Sequence, residues 1–138
     1  MYEALTAAYL LASVGVGLEV VFTAVANLRA ADDLRLTGHS YVWMFPIYGL
    51  AYPLYAWSGP LLHTLPWFAR GVVYVGAFFV VELVAGWLLR RAIGRCPWED
   101  GYRAARWGVH GLIRLDYAPA WFVVSLLFER IYVVMAVG

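Results

Sequence analysis

Three glutamates stand inside long apolar runs of this chain: Glu19, Glu82 and Glu129. A carboxylate in the core of a bilayer costs roughly 2.5–3.5 kcal/mol on insertion scales, so it is paired, protonated or turned toward a cavity. The chemistry open to such a group is the binding of a proton or small cation, or hydrogen bonding that fixes helix packing. Tyr48 and Tyr52 share one face of a neighbouring run and are candidate hydroxyl donors to Glu19 and Glu82. Arg90 is two helical turns from Glu82 on nearly the same face and is placed to reach back to it. Arg90, Arg114 and Asp116 mark the ends of the apolar runs, where a lipid headgroup or substrate would be met.

The elements that must position these groups are membrane helices. The 138 residues are 64% hydrophobic and 14% charged. A soluble domain is about a quarter charged, so this chain lacks the polar surface to coat itself in water. Apolar runs at about 5–28, 41–62, 67–89 and 117–137 are each long enough to span lipid. The expected fold is therefore an all-α membrane protein of one domain, 1–138. It is a four-transmembrane-helix bundle with an interfacial segment in the loop between helices 3 and 4. The first run reads as a span rather than a cleaved leader, because Glu3 stands where a leader carries a cation and the run exceeds a typical leader core.

Spacing orients the groups. In the first run Ala8, Ala12, Gly15, Glu19 and Thr23 fall on one small, polar stripe, which lets another helix approach. In the third, Val75, Phe79, Glu82 and Gly86 share a stripe, and Gly86 leaves room beside the carboxylate. In the fourth, Ala118, Phe122, Ser125, Glu129 and Tyr132 do so. The second run is irregular, since Pro46, Pro53 and Pro60 each remove a backbone donor.

Arginine counts set the orientation. The loops after spans one and three lie on one side and hold eight of the ten arginines, six of them in 90–116. The positive-inside rule makes that side cytoplasmic, with both termini outside in a multi-pass cell-membrane protein. Glu19 and Glu82 then lie about 12–14 Å inside the cytoplasmic ends of their helices, from 1.5 Å per residue. Similar depth on two helices points to one shared polar site near the inner leaflet.

Other chemistry is poorly supplied. A net charge of +1 argues against nucleic acid. The histidines and the lone Cys96 have no metal-ligand spacing, and no cofactor is indicated. Cys96 reads as a buried or interfacial thiol. Without a lysine there is no Walker A sequence, so the chain carries no nucleotide-hydrolysis motif.

Gly17-Leu18-Glu19, Ser40-Tyr41-Val42-Trp43, Ile47-Tyr48-Gly49, Glu82 with Gly86, Cys96-Pro97-Trp98-Glu99, Gly111-Leu112-Ile113, Leu115-Asp116-Tyr117 and Trp121-Phe122 occur in this order. The series resembles the ABC-transporter type IV family, which includes small vertebrate transmembrane proteins, and it covers nearly the whole chain. In that pattern proline directly precedes Trp-Phe, whereas here Ala120 follows Pro119. The resemblance implies transport, with any ATPase on a separate chain. Three functions stay open. One is a permease-like or small-solute transport component. Another is an intramembrane enzyme or binder acting on a lipid or amphiphile, and the third is a membrane scaffold subunit. The expected partners are the bilayer, a second copy of the chain, and a lipid or small solute.

Overall fold

The computed structural model describes residues 1–137, so the last residue of the expected domain lies outside them. The chain is mostly helical: α1 Tyr2–Ala31, α2 Met44–Gly49, α3 Ala51–Leu62, α4 Trp67–Ile93, α5 Glu99–Ala104 and α6 Ala118–Val137. A short antiparallel hairpin, β1 Gly108–Val109 and β2 Ile113–Arg114, and a 3-10 turn, Leu115–Tyr117, precede α6. Three helices are long and apolar enough to cross a membrane: Tyr2–Ala31, Trp67–Ile93 and Leu115–Ala136.

The run expected as an irregular second span holds two helices, of six and twelve residues. Pro53 is the physical reason. It has no N–H to give the carbonyl of Gly49, so the ladder is interrupted there. The Leu50 N–H, just before it, is shared between the carbonyls of Pro46 and Ile47, at 3.2 and 3.1 Å.

Contacts divide the chain into two compact units, Met1–Trp57 with the end of the chain from Tyr132, and Ser58–Ile131. In the first, α2 packs on α1 where Gly15 lies against the Tyr48 ring; a Cβ there would overlap the ring. The loop between them runs back along the last turns of α1. Asn27 donates to the Thr37 carbonyl at 2.8 Å, and Thr23 accepts the His39 N–H at 2.8 Å. Gly38 lies so close to the Val20 carbonyl that a Cβ would overlap it. Leu11, Ala12, Met44 and Tyr55 form the core, and Tyr55 stacks on Tyr132 at 6.0 Å.

In the second unit α4 meets α6 where Gly71 accepts the Phe122 ring. Phe78 packs edge-on to Trp121 and Phe128, at 5.3 and 6.2 Å. Gly94, at φ 84°, ends α4 in the left-handed conformation that favours glycine. The segment that follows is the one expected to lie along the membrane interface. It folds into a small body of its own, α5 and the hairpin, whose turn places His110 and Gly111 at positive φ. Gly86 seats that body: a Cβ there would come within 2.9 Å of Leu112 and 3.2 Å of both Cys96 and Trp98. So the space beside Glu82 is filled by the segment's own side chains.

Leu10, Val21, Phe22, Val72, Val80, Val84, Val123 and Val134 are exposed along the long helices. Apolar surface on this scale marks contact with a membrane or partner rather than with water.

Candidate functional site

Each glutamate in the interior of a long helix receives a tyrosine hydroxyl. Glu19, half-buried on α1, accepts Tyr48 Oη at 3.1 Å and Ser40 Oγ at 3.1 Å, both on the same oxygen. Its donors come from α2 and from the loop that Thr23 and Asn27 hold against α1. Glu82 is 4% exposed on α4 and accepts Tyr102 Oη at 2.7 Å. Glu129 on α6 accepts Tyr74 Oη at 3.1 Å.

The three differ in charge compensation. Arg70 donates to both Glu129 oxygens, Nε at 2.7 Å and Nη2 at 3.2 Å, and also to the Leu65 carbonyl at 2.7 Å. The guanidinium and the carboxyl thus meet in a bidentate pair. The donors at Glu19 are neutral hydroxyls. A hydroxyl can donate to a carboxylate or accept from a carboxylic acid, so such a partner serves either protonation state.

Of the expected site residues, the structure brings together Glu19 and Tyr48. Tyr52 packs its ring on Tyr132 at 5.7 Å, and among the described residues no carboxylate accepts its hydroxyl. Glu19 and Glu82 belong to different units, each with donors from its own unit. Arg90 does not take Glu82 as its ion-pair partner. Its guanidinium pairs with Glu99 at 3.1 Å and donates to the His110 carbonyl at 2.6 Å. An ionised partner near the surface spares the guanidinium the desolvation of following Glu82 inward. Arg114 and Asp116 pair with each other through two bonds, at 3.1 and 2.6 Å.

Glu99, absent from the expected site, organises the segment after α4. It accepts Arg90, Arg103 and the Cys96 backbone N–H. Its bond from Arg103, helped by the Cys96 N–H and Arg90, holds its carboxyl down at about 2. Trp98 is buried and donates Nε1–H to the Leu112 carbonyl at 2.9 Å, tying the helix to the hairpin. Cys96 is 1% exposed, and burial pushes its thiol up to about 11. An aromatic path runs inward from the surface pair. The Arg114 guanidinium lies 4.2 Å over the Tyr117 ring, which meets Tyr102 edge-on at 5.8 Å, and Tyr102 holds Glu82.

Tyr74, Tyr102 and Arg70 carry no local sequence signal of their roles. They lie 55, 20 and 59 residues from the carboxylates they serve, and no local spacing signals such pairs. Ser40 carried the one available signal, in the Ser40-Tyr41-Val42-Trp43 element. Among the described residues no group of three or more histidine, cysteine or acidic side chains is placed to hold a metal. No protein-family model matches the chain, and no solved structure matches it.

Proposed function

We propose that the chain is a multi-pass membrane transport component in which Glu19 and Glu82 take up and release a proton or small cation. The observation that carries this reading is the tyrosine hydroxyl on each carboxylate, a partner that serves the charged and the neutral form alike. Glu129, neutralised by Arg70, is the structural member of the set. The second span of this reading is the run at about 41–62, which holds α2 and α3. The arginine-rich loops face the cytoplasm and both termini face outward. Four spans enclose little volume, so a path through the membrane is built by a homo-oligomer. The resemblance to the ABC-transporter type IV family supports the same class, with nucleotide hydrolysis on another chain.

The competing reading, an enzyme acting on a lipid at the cytoplasmic interface, asks Arg90 and Arg114 to hold a phosphate. Both are already engaged, by Glu99 and by Asp116, which weighs against it.

The test is proton and sodium flux into proteoliposomes, driven by a potassium diffusion potential and read by internal pH-sensitive and sodium-sensitive dyes. Wild-type protein is expected to conduct, and Glu19→Gln with Glu82→Gln to abolish conduction while the protein stays folded. Flux that survives the double substitution, or none from the wild type, overturns the proposal.

A further inference from the structure

The six arginines from Arg90 to Arg114 divide into two groups. Arg90, Arg95, Arg103 and Arg114 are each paired with a carboxylate of the same segment. Among the described residues Arg91 and Arg106 have no ion pair. Each lies over an exposed indole instead, Arg91 at 5.2 Å from the Trp87 ring centre and Arg106 at 5.7 Å from that of Trp107. The tryptophans are 46% and 54% exposed.

We infer that these two arginine–tryptophan stacks bind the phosphate headgroup of an anionic phospholipid in the bilayer around the protein. A guanidinium lying over an indole uses its face, and its in-plane N–H donors stay available for two phosphate oxygens at once. Indole rings settle at the depth of the headgroups, with the ring in the apolar boundary and the N–H toward water. Trp87 lies one turn before Arg91 near the end of α4, so the first stack stands where a membrane-crossing helix leaves the hydrocarbon. Exposed Leu88 is the next residue after Trp87 on the same helix end, apolar surface for the start of an acyl chain.

Charge selects the lipid. Glu99, Asp100 and Asp116, the acidic groups of the segment, are all engaged by other arginines, so the two stacks present uncompensated positive charge. A phosphatidylglycerol headgroup brings a net negative charge to it. A phosphatidylcholine headgroup brings its own cation and gains less. This inference rests on the chain spanning a membrane and is independent of the transport reading.

The experiment is native mass spectrometry of the detergent-solubilised protein titrated with phosphatidylglycerol or with phosphatidylcholine. Wild type is expected to prefer phosphatidylglycerol. Arg91→Gln with Arg106→Gln should weaken phosphatidylglycerol binding about tenfold and leave phosphatidylcholine binding unchanged. Arg91→Lys with Arg106→Lys keeps the charge but loses the planar fork, and should fall between. Arg95→Gln, which removes an exposed arginine already paired with Asp100, should bind as wild type does. Equal binding of the two lipids by wild type, wild-type affinity in the folded glutamine double variant, or an equal loss in Arg95→Gln would each overturn the inference. Glycerol phosphate binding as tightly as phosphatidylglycerol would also overturn it, since the site would then be one for soluble phosphates.

Discussion

The Tyr102 hydroxyl lies 2.7 Å from Oε1 of Glu82, joining the folded segment after α4 to a carboxylate buried inside that helix. The bond has two consequences. It supplies a hydroxyl donor to a carboxyl that has left water, and it anchors α5 over the end of α4. Tyr102→Phe deletes one oxygen and little shape. Loss of a donor to a buried polar group costs about 1–3 kcal/mol. We expect a clear fall in the thermal midpoint of the purified protein, read by Trp fluorescence in detergent. A midpoint equal to wild type would show that the hydroxyl contributes nothing to holding Glu82.

Glu19 takes two hydroxyl donors, so losing one of them should be mild. Tyr48→Phe leaves Ser40 Oγ on the carboxylate, and Ser40→Ala leaves Tyr48. Each single variant is expected to lose about 0.5–1.5 kcal/mol. The double variant strips both hydroxyls and should lose more than the sum. Chemical unfolding of the three variants checks this, and strict additivity would mean that the two hydroxyls do not act as alternates.

The Arg70–Glu129 pair makes a different prediction. Its side chains are 23% and 14% exposed, so it is partly sealed from solvent. Removing one partner leaves the other charge poorly compensated. We expect Arg70→Met or Glu129→Leu to cost about 2–3 kcal/mol, less than the ~3–5 of a fully buried pair because some screening remains. Arg70→Met with Glu129→Leu removes both charges and should recover most of the loss. A double variant no better than the worse single one would show that Arg70 matters mainly through its bond to the Leu65 carbonyl.

How much of this was legible in the sequence depends on the range of the interaction. The expected runs 67–89 and 117–137 lie on Trp67–Ile93 and Ala118–Val137, because uninterrupted apolar composition is a local property. The prolines signalled an irregular second run, and Pro53 does interrupt it, but spacing alone gave no way to locate the break at Leu50. The pairing of Glu19 with Tyr48 followed from facing helices. The partner of Arg90 did not. Helix geometry aimed it at Glu82, while the chain folds Glu99 back across the end of the same helix and offers a less costly partner. The hairpin was hidden for a similar reason: two-residue strands leave no alternating pattern, and only the positive φ at His110 and Gly111 reveals the turn.

Gly86 tests whether the segment is truly seated on α4. An added methyl would approach Leu112 at 2.9 Å and Cys96 and Trp98 at 3.2 Å. Leu112 can shift, so Gly86→Ala should cost little, while Gly86→Val forces the segment outward at about 1–3 kcal/mol. Cys96 reports the displacement. Buried and held protonated at neutral pH, it should react slowly with a maleimide in wild type. It should react markedly faster in Gly86→Val. Fast labelling of the folded wild type would contradict the packing described here.

The same segment should respond to acid through Glu99, and the sign follows from its pairing. Its carboxyl is held down at about 2, below the ordinary glutamate value of 4.5, chiefly by the bond from Arg103. A carboxyl depressed on folding favours the folded state while both forms are ionised, which is the case above about pH 4.5. As pH falls below that value the unfolded segment takes up a proton first, and the advantage drains away until Glu99 itself protonates near 2. We therefore expect the emission of buried Trp98 to shift toward that of a solvated indole across this window, before α4 and α6 unfold. Glu99→Gln should show the shifted emission already at neutral pH and lose the acid transition. Because Arg90 keeps its bond to the His110 carbonyl in that variant, the hairpin end should loosen less than α5. Hydrogen exchange faster in 99–104 than in 108–114 would bear this out, and uniform exchange across both would show that Glu99 holds the segment as a single unit.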